Sequence, residues 1–232
     1  MKKSVLWLLL LTVALGQLTV GEQAKITTDL GLGCISLFGV LIAIFIGIGL
    51  VSKEIERKTI YSLVAKPLPR YQFLLGKFFG LFFTIFVNLV IMTLAYAGVL
   101  SYMASSLNWP LLQAILLILV ELSIIIAAAL LFSTFSSPTL SAIFSLAFFA
   151  IGRMSNDLRF LAAKSESTLY HYLAQGLYYL VPNLSNYSRF NAAAYGEALD
   201  LGLFFRLVAI GILTTAFLLG LAMIVFQRRD FV

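Results

Sequence analysis

Charged residues are scarce in this chain of 232 residues: they make up 11% of it, whereas a soluble domain contains about a quarter. It has one histidine, His171, and one cysteine, Cys34, which is too few for a site of His and Cys metal ligands. The nucleotide-binding pattern G-x-x-x-x-G-K-[ST] is also missing, because Gly76-Lys77 has no glycine five positions earlier and no Ser or Thr after it. Any ATP used by this protein must therefore be hydrolysed elsewhere.

Apolar residues dominate instead, at 61% of the chain. A helix needs about 20 apolar residues to cross a bilayer, and six runs approach that length. They span residues 4–20, 32–52, 78–100, 110–135, 139–152 (from 137 if the polar residues before it dip into the interface) and 203–226. The runs are continuous and do not alternate with polar residues, which excludes a β-barrel. We predict an all-α membrane protein with six transmembrane helices, forming a single domain over residues 1–232.

Lysine and arginine favour the cytoplasmic side of a membrane, so their positions predict the orientation. Ten of the sixteen fall on one side of the six predicted spans: two at the start, six between the second and third spans, and two near the end. Both termini should therefore be cytoplasmic. The net charge of +6 could suggest nucleic acid, but these residues flank spans and form no single basic face, so no nucleic-acid partner is expected.

The first run has a second interpretation. Lys2 and Lys3 could be the basic start of a signal peptide, residues 5–13 its apolar part, and residues 14–16 a cleavage site. The chain would then have five spans in the same orientation, so both alternatives remain open.

The charged segment 53–77 is the most patterned part of the sequence. Residues 53–65 favour a short amphipathic helix, in which Glu54 and Lys58 are an i,i+4 pair. Pro67 and Pro69 then end it. The residues of this segment alone are compatible with two roles. It is either a loop whose cations anchor the topology, or a docking helix that transmits force from a soluble partner.

Several stretches resemble the type-2 ABC exporter permeases, in particular the stand-alone subunits of gliding-motility and nitrous-oxide-reductase maturation transporters. The similar stretches are DLGL (29–32), LFGVLIAIFIG (37–47), EIERKTIY (54–61), KPLPR (66–70), FLLGKFFG (73–80), SSP (136–138) and LVPNL (180–184). The resemblance runs from about residue 20 to the end of the chain.

The resemblance implies a permease subunit of an ATP-driven exporter in the lipid bilayer of a bacterial inner membrane. Two copies would pair as a homodimer over two ABC ATPase subunits, which would bind ATP and magnesium, so this chain needs no cofactor and is not itself an enzyme. It also implies a cytoplasmic coupling helix between spans two and three, and an outer re-entrant or surface helix before span six. The implied ATPase-coupling residues are Glu54, Glu56, Thr59, Leu63, Pro67, Arg70 and Lys77.

Glu121 lies near the middle of the fourth run, where an ionised side chain costs about 3 kcal/mol. It should therefore face protein or water. Its possible roles are polarity in a substrate path, a structural hydrogen bond between helices, or proton coupling in an ion-driven carrier, which is the alternative function. An intramembrane enzyme is disfavoured because His171, the single histidine, lies outside every predicted span. The sequence does not identify the substrate.

Overall fold

A computed structural model describes residues 23–56, 70–102, 108–157, 160, 176, 181–188 and 190–227. These residues form helices and connecting turns, without a β-strand among them. The helices are α1 (Gln23–Glu56), α2 (Arg70–Tyr102), α3 (Trp109–Phe135), α4 (Pro138–Arg153), a 3-10 helix (Leu184–Tyr187), α5 (Phe190–Ala194) and α6 (Leu201–Gln227).

Helix α3 is the centre of the bundle. It is apolar around its whole circumference, and such a helix is stable only when other elements surround it. Accordingly, 67% of its most apolar window is buried, compared with 28% for α2 and for α6. Helices α1, α2, α4 and α6 all pack against it. The outer faces of α2 and α6 are rich in exposed Phe, Leu and Ile, as suits helices that border lipid.

Small and polar residues bring the central helices close together. A Cβ added at Gly211 of α6 would collide with Cγ1 of Val120 on α3, so only glycine fits this contact. One turn later, the hydroxyls of Ser123 and Thr215 lie 3.1 Å apart across the same interface. Close approach and interhelical hydrogen bonds are the usual means of helix association in a bilayer.

Two serines separate α3 from α4. Ser136 takes an extended conformation that ends α3, and Pro138 is accepted in the first turn of α4, where its missing N–H is not needed. The hydroxyls of Ser136 and Ser141 lie 2.7 Å apart across the turn. The two helices therefore run antiparallel with a tight connection.

Within the described part of the chain, four helices are long and apolar enough to cross a membrane: α1, α2, α3 and α6. They contain the predicted runs 32–52, 78–100, 110–135 and 203–226. The run 139–152 forms α4, which has 16 residues and is shorter than the other four. The run 4–20 lies outside the described residues, so the prediction of six spans is not confirmed.

The predicted helix boundaries around residues 53–77 differ from those of the structure. Helix α1 continues without a break to Glu56, so residues 53–56 are its last turn and do not begin a separate helix. Helix α2 begins at Arg70, eight residues before the apolar run, and includes Lys77. Residues 57–69 lie outside the described part of the chain. A separate coupling helix is therefore not confirmed.

The 3-10 helix and α5 together form what we call the inserted segment. It lies between α4 and α6 in the chain and packs inside one end of the bundle, where Leu184 is fully buried and Tyr187 is 3% exposed. A Cβ added at Gly152 of α4 would lie 2.8 Å from Cγ of Leu184, so the lack of a side chain at Gly152 makes room for the segment.

Candidate functional site

A charged pair joins three helices inside the bundle. Nη1 of Arg153, the last residue of α4, donates a hydrogen bond of 2.8 Å to Oε1 of Glu121 on α3. The hydroxyl of Ser36 on α1 donates to the second carboxylate oxygen, Oε2, at 3.2 Å. The same Nη1 donates to the oxygen of Ser36 at 3.3 Å. The carboxylate thus has a partner on each oxygen, and we call these three residues the Arg153 cluster.

The Arg153 cluster lies near mid-height of α3. Glu121 is twelve residues from Trp109 and fourteen from Phe135, about 18 Å and 21 Å along the axis. Arginine reaches this depth because α4 is only about 24 Å long and ends there. An ionised acid at such a position needs a partner, and Arg153 supplies it. The structure therefore assigns Glu121 an interhelical ion pair.

Exposure is unequal within the pair. The side chain of Glu121 is 0% exposed, whereas that of Arg153 is 26% exposed. Replacing a buried ion pair by apolar residues is often neutral, but removing one partner costs about 3–5 kcal/mol because a buried charge is left alone. Loss of one partner should therefore destabilise the fold more than replacement of both partners by apolar residues.

Two aromatic rings border the guanidinium group of Arg153. Its Cζ lies 5.8 Å from the ring centroid of Phe149 on α4 and 4.9 Å from that of Phe190 on α5. Distances below about 6 Å permit a cation–π interaction. Arg153 thus connects the inserted segment to α1, α3 and α4.

Tyr187 connects the inserted segment to α6. Its hydroxyl donates a hydrogen bond of 3.1 Å to the carbonyl of Leu207, and it would lie 3.1 Å from a Cβ at Gly211. Burial, together with the negative charge of Glu121, raises the pKa of Tyr187 to about 12. The phenol therefore stays protonated and able to donate at any physiological pH.

A reciprocal pair of hydrogen bonds fixes the start of α6. Gln113 of α3 donates from Nε2 to the carbonyl of Leu199 at 3.1 Å, and its Oε1 accepts from the backbone N–H of Leu199 at 2.9 Å. The carboxylate of Asp200 then accepts from the N–H of Gly202 at 3.1 Å in the first turn of α6. These contacts secure α6 against the central helix.

Four of the predicted ATPase-coupling residues lie at or near the opposite end, where α1 ends and α2 begins. Glu54 and Glu56 are in the last turn of α1, and Arg70 is the first residue of α2. Thr59, Leu63 and Pro67 lie outside the described residues. The role of these seven residues in ATPase coupling therefore stays a prediction.

Lys77 is the member of that set with a described side chain. Its Nζ lies 4.3 Å from the ring centroid of Phe73 on the same helix. Phe73 in turn stacks on Phe226 near the end of α6, with centroids 6.1 Å apart. Lys77 is thus part of the contact between the start of α2 and the end of α6. It lies within α2, although the predicted apolar run begins only at residue 78.

Sequence reasoning singled out Glu121 but missed Arg153 and Ser36. In the count of lysines and arginines, Arg153 is only one of the six that fall outside the cytoplasmic group of ten. The available signal was the length of the run before it: a run of about 14 residues that ends in arginine cannot carry that arginine across a core of about 30 Å.

Comparison with known families decides what this bundle is. A family model described as "ABC-2 family transporter protein" matches residues 8–231, almost the whole chain. The chain belongs to the ABC-2 transporter family. No curated protein matches it.

Membership makes the protein an integral membrane permease of an ABC transporter. The ABC-2 permease is a transmembrane subunit that is not itself catalytic, since ATPase activity resides in a separate subunit. Such permeases normally work with an ABC ATPase partner. The Arg153 cluster is therefore a feature of a transport subunit.

Proposed function

We propose that this ABC-2 permease is the transmembrane subunit of an ATP-driven exporter and couples ATP hydrolysis in a separate ATPase to substrate movement across the membrane. The observation that carries the proposal is the family match over residues 8–231. The ATPase would bind ATP and magnesium. The particular similarity to gliding-motility and nitrous-oxide-reductase maturation permeases is part of the same proposal, as is a bacterial inner membrane.

The charge distribution supports one orientation. Ten of the sixteen lysines and arginines belong to the chain ends and to residues 53–77, and such residues favour the cytoplasmic side. In this orientation the ends of α1 and α6 and the start of α2 face the cytoplasm, and the inserted segment faces outward. The ATPase would bind where α1 ends and α2 begins, around Glu54 and Arg70.

A second copy of the chain completes the proposal. Six predicted spans form half of a type-2 pathway, so a homodimer would supply the other half. A single domain over residues 1–232 would then serve as one half of the permease.

The test is coupling between the two subunits in a reconstituted complex. The permease and a candidate ABC ATPase from the same organism are co-expressed, purified together and placed in nanodiscs, and ATP hydrolysis is measured with and without the permease. We expect the permease to change the hydrolysis rate, and the substitutions Glu54→Ala, Thr59→Ala and Arg70→Ala to abolish that change.

Glu197→Ala is a matched control for Glu54→Ala, because Glu197 is an exposed acid next to the inserted segment, away from the end where α1 meets α2. We expect it to leave the hydrolysis rate unchanged. Equal rates with and without the permease would count against coupling.

The described geometry does not favour the ion-coupled carrier. A proton-coupling carboxylate must exchange protons with water, whereas Glu121 is 0% exposed and paired with Arg153. We therefore propose no carrier role for it.

A further inference from the structure

Arg153 is the point at which four helices meet. It belongs to α4, donates hydrogen bonds to Ser36 of α1 and Glu121 of α3, and lies under the ring of Phe190 of α5. The contact with Phe190 is present only while the inserted segment stays packed in the bundle. The guanidinium group therefore helps to hold the inserted segment in its packed position.

The 3-10 helix of the inserted segment connects α4 to α6, while its α5 packs against α1 and α3. Leu184 fills the place next to Gly152, and Tyr187 reaches the carbonyl of Leu207 and the bare face of Gly211. Both side chains are almost completely buried. Any path that opens toward this end of the bundle between α4 and α6 requires the segment to move.

The unequal exposure of the charged pair shows which member can leave. Glu121 is enclosed on α3, but a quarter of the Arg153 side chain is exposed, at 26%. Arg153 lies on the last turn of α4 and can turn its head group toward the side on which it is exposed, whereas the carboxylate cannot follow. After such a movement Glu121 would keep only the hydrogen bond from Ser36. The open state would thus be the costlier one, since a buried charge has lost its partner.

We propose that the Arg153 cluster is a latch that holds the inserted segment closed over the bundle, and that the exit opens when Arg153 withdraws from Glu121. This inference rests on the proposed function, because the proposed orientation places the inserted segment on the outer side and the ATPase provides the energy for opening. The latch keeps the resting permease closed, and the conformational change driven by the ATPase releases it.

The first experiment measures how often the inserted segment opens. Cys34→Ser removes the single cysteine of the chain, and Leu184→Cys then places a thiol at a position that is 0% exposed. The full-length permease, with its ATPase in nanodiscs, is treated with a membrane-impermeant maleimide. We expect Arg153→Gln to speed labelling at least about tenfold, the factor that corresponds to about 1.4 kcal/mol of coupling.

Arg206→Gln is the matched control, because it makes the same chemical change at an exposed arginine of α6. We expect it to label like the parent. If Arg153→Gln does not fold, the double variant Glu121→Leu with Arg153→Met tests the same point without a lone charge. Slow labelling of that folded double variant, equal to the parent, would overturn the latch.

The second experiment closes the segment covalently. A Cβ at Gly152 would lie 2.8 Å from Cγ of Leu184, which is compatible with a disulfide between Gly152→Cys and Leu184→Cys. We expect oxidation to remove the effect of the permease on ATP hydrolysis, and a reductant to restore it.

The two proposals fail in different ways. If the parent permease does not affect ATP hydrolysis at all, the proposed function fails. If the parent does so and the oxidised disulfide variant behaves in the same way, the latch alone is refuted.

Discussion

Arg153 and Glu121 are 32 positions apart in sequence and share a 2.8 Å hydrogen bond inside the bundle, yet they differ in exposure. The Glu121 side chain is completely buried, whereas 26% of the Arg153 side chain is exposed. Loss of Arg153 and loss of Glu121 should therefore lower the stability by different amounts, because the charge that remains is buried to a different degree in each case.

Arg153→Gln should destabilise the permease more than Glu121→Gln does. The first variant leaves a fully buried carboxylate without its cation, which costs about 3–5 kcal/mol. The second leaves a partly exposed guanidinium group, and we expect a loss of about 1–3 kcal/mol. Thermal unfolding of the purified chain in detergent measures the order. Equal loss in both variants, or the reverse order, would contradict the described burial.

Gln113→Leu should loosen the start of α6. It removes both hydrogen bonds to Leu199 and leaves a backbone N–H and a carbonyl unpaired, at about 1–3 kcal/mol each. Gln72→Leu is the control, because Gln72 is exposed on α2. Thermal unfolding should show a clear loss for Gln113→Leu and almost none for the control; similar values would argue against the reciprocal pair.

Gly211→Ala should separate α3 from α6. The new methyl group meets Cγ1 of Val120, and overpacking of this kind costs about 1–3 kcal/mol. Adding Val120→Ala removes the obstructing carbon and should restore most of the stability. Gly220→Ala has open space around the new methyl group and should be harmless. A destabilised double variant would show that another contact is responsible.

Tyr187→Phe should weaken the attachment of the inserted segment to α6. The substitution keeps the ring and deletes the donor to the carbonyl of Leu207, a loss of about 1 kcal/mol. Tyr195→Phe makes the same change on a residue that is 61% exposed and should have little effect. Hydrogen exchange of residues 184–194 distinguishes the two, since faster exchange is expected only in Tyr187→Phe.

The apolar runs predicted where helices lie but not where they end. The limits of the runs were placed at turn residues and charged residues, and the helices of the structure extend past several of them. Helix α1 begins at Gln23 and contains Lys25, whose ammonium group lies 4.5 Å from the ring of Tyr195. Helix α2 likewise contains Lys77. A tertiary contact that stabilises a charge is not visible in a hydropathy pattern.

The candidate site was predictable only in part. An acid in an apolar run stands out from its neighbours, which is why Glu121 was found. Its partners are contributed by two other helices, and no local pattern relates Ser36 or Arg153 to it. The pairing depends on how far α4 extends into the bundle, which is a property of the packed structure.

The most direct test of the central claim is the mass of the detergent-solubilised complex after co-expression with the candidate ABC ATPase, measured by native mass spectrometry. The account predicts two copies of the 25.6 kDa chain together with two ATPase subunits. A permease that is recovered from the same co-expression with no ATPase subunit bound would contradict it.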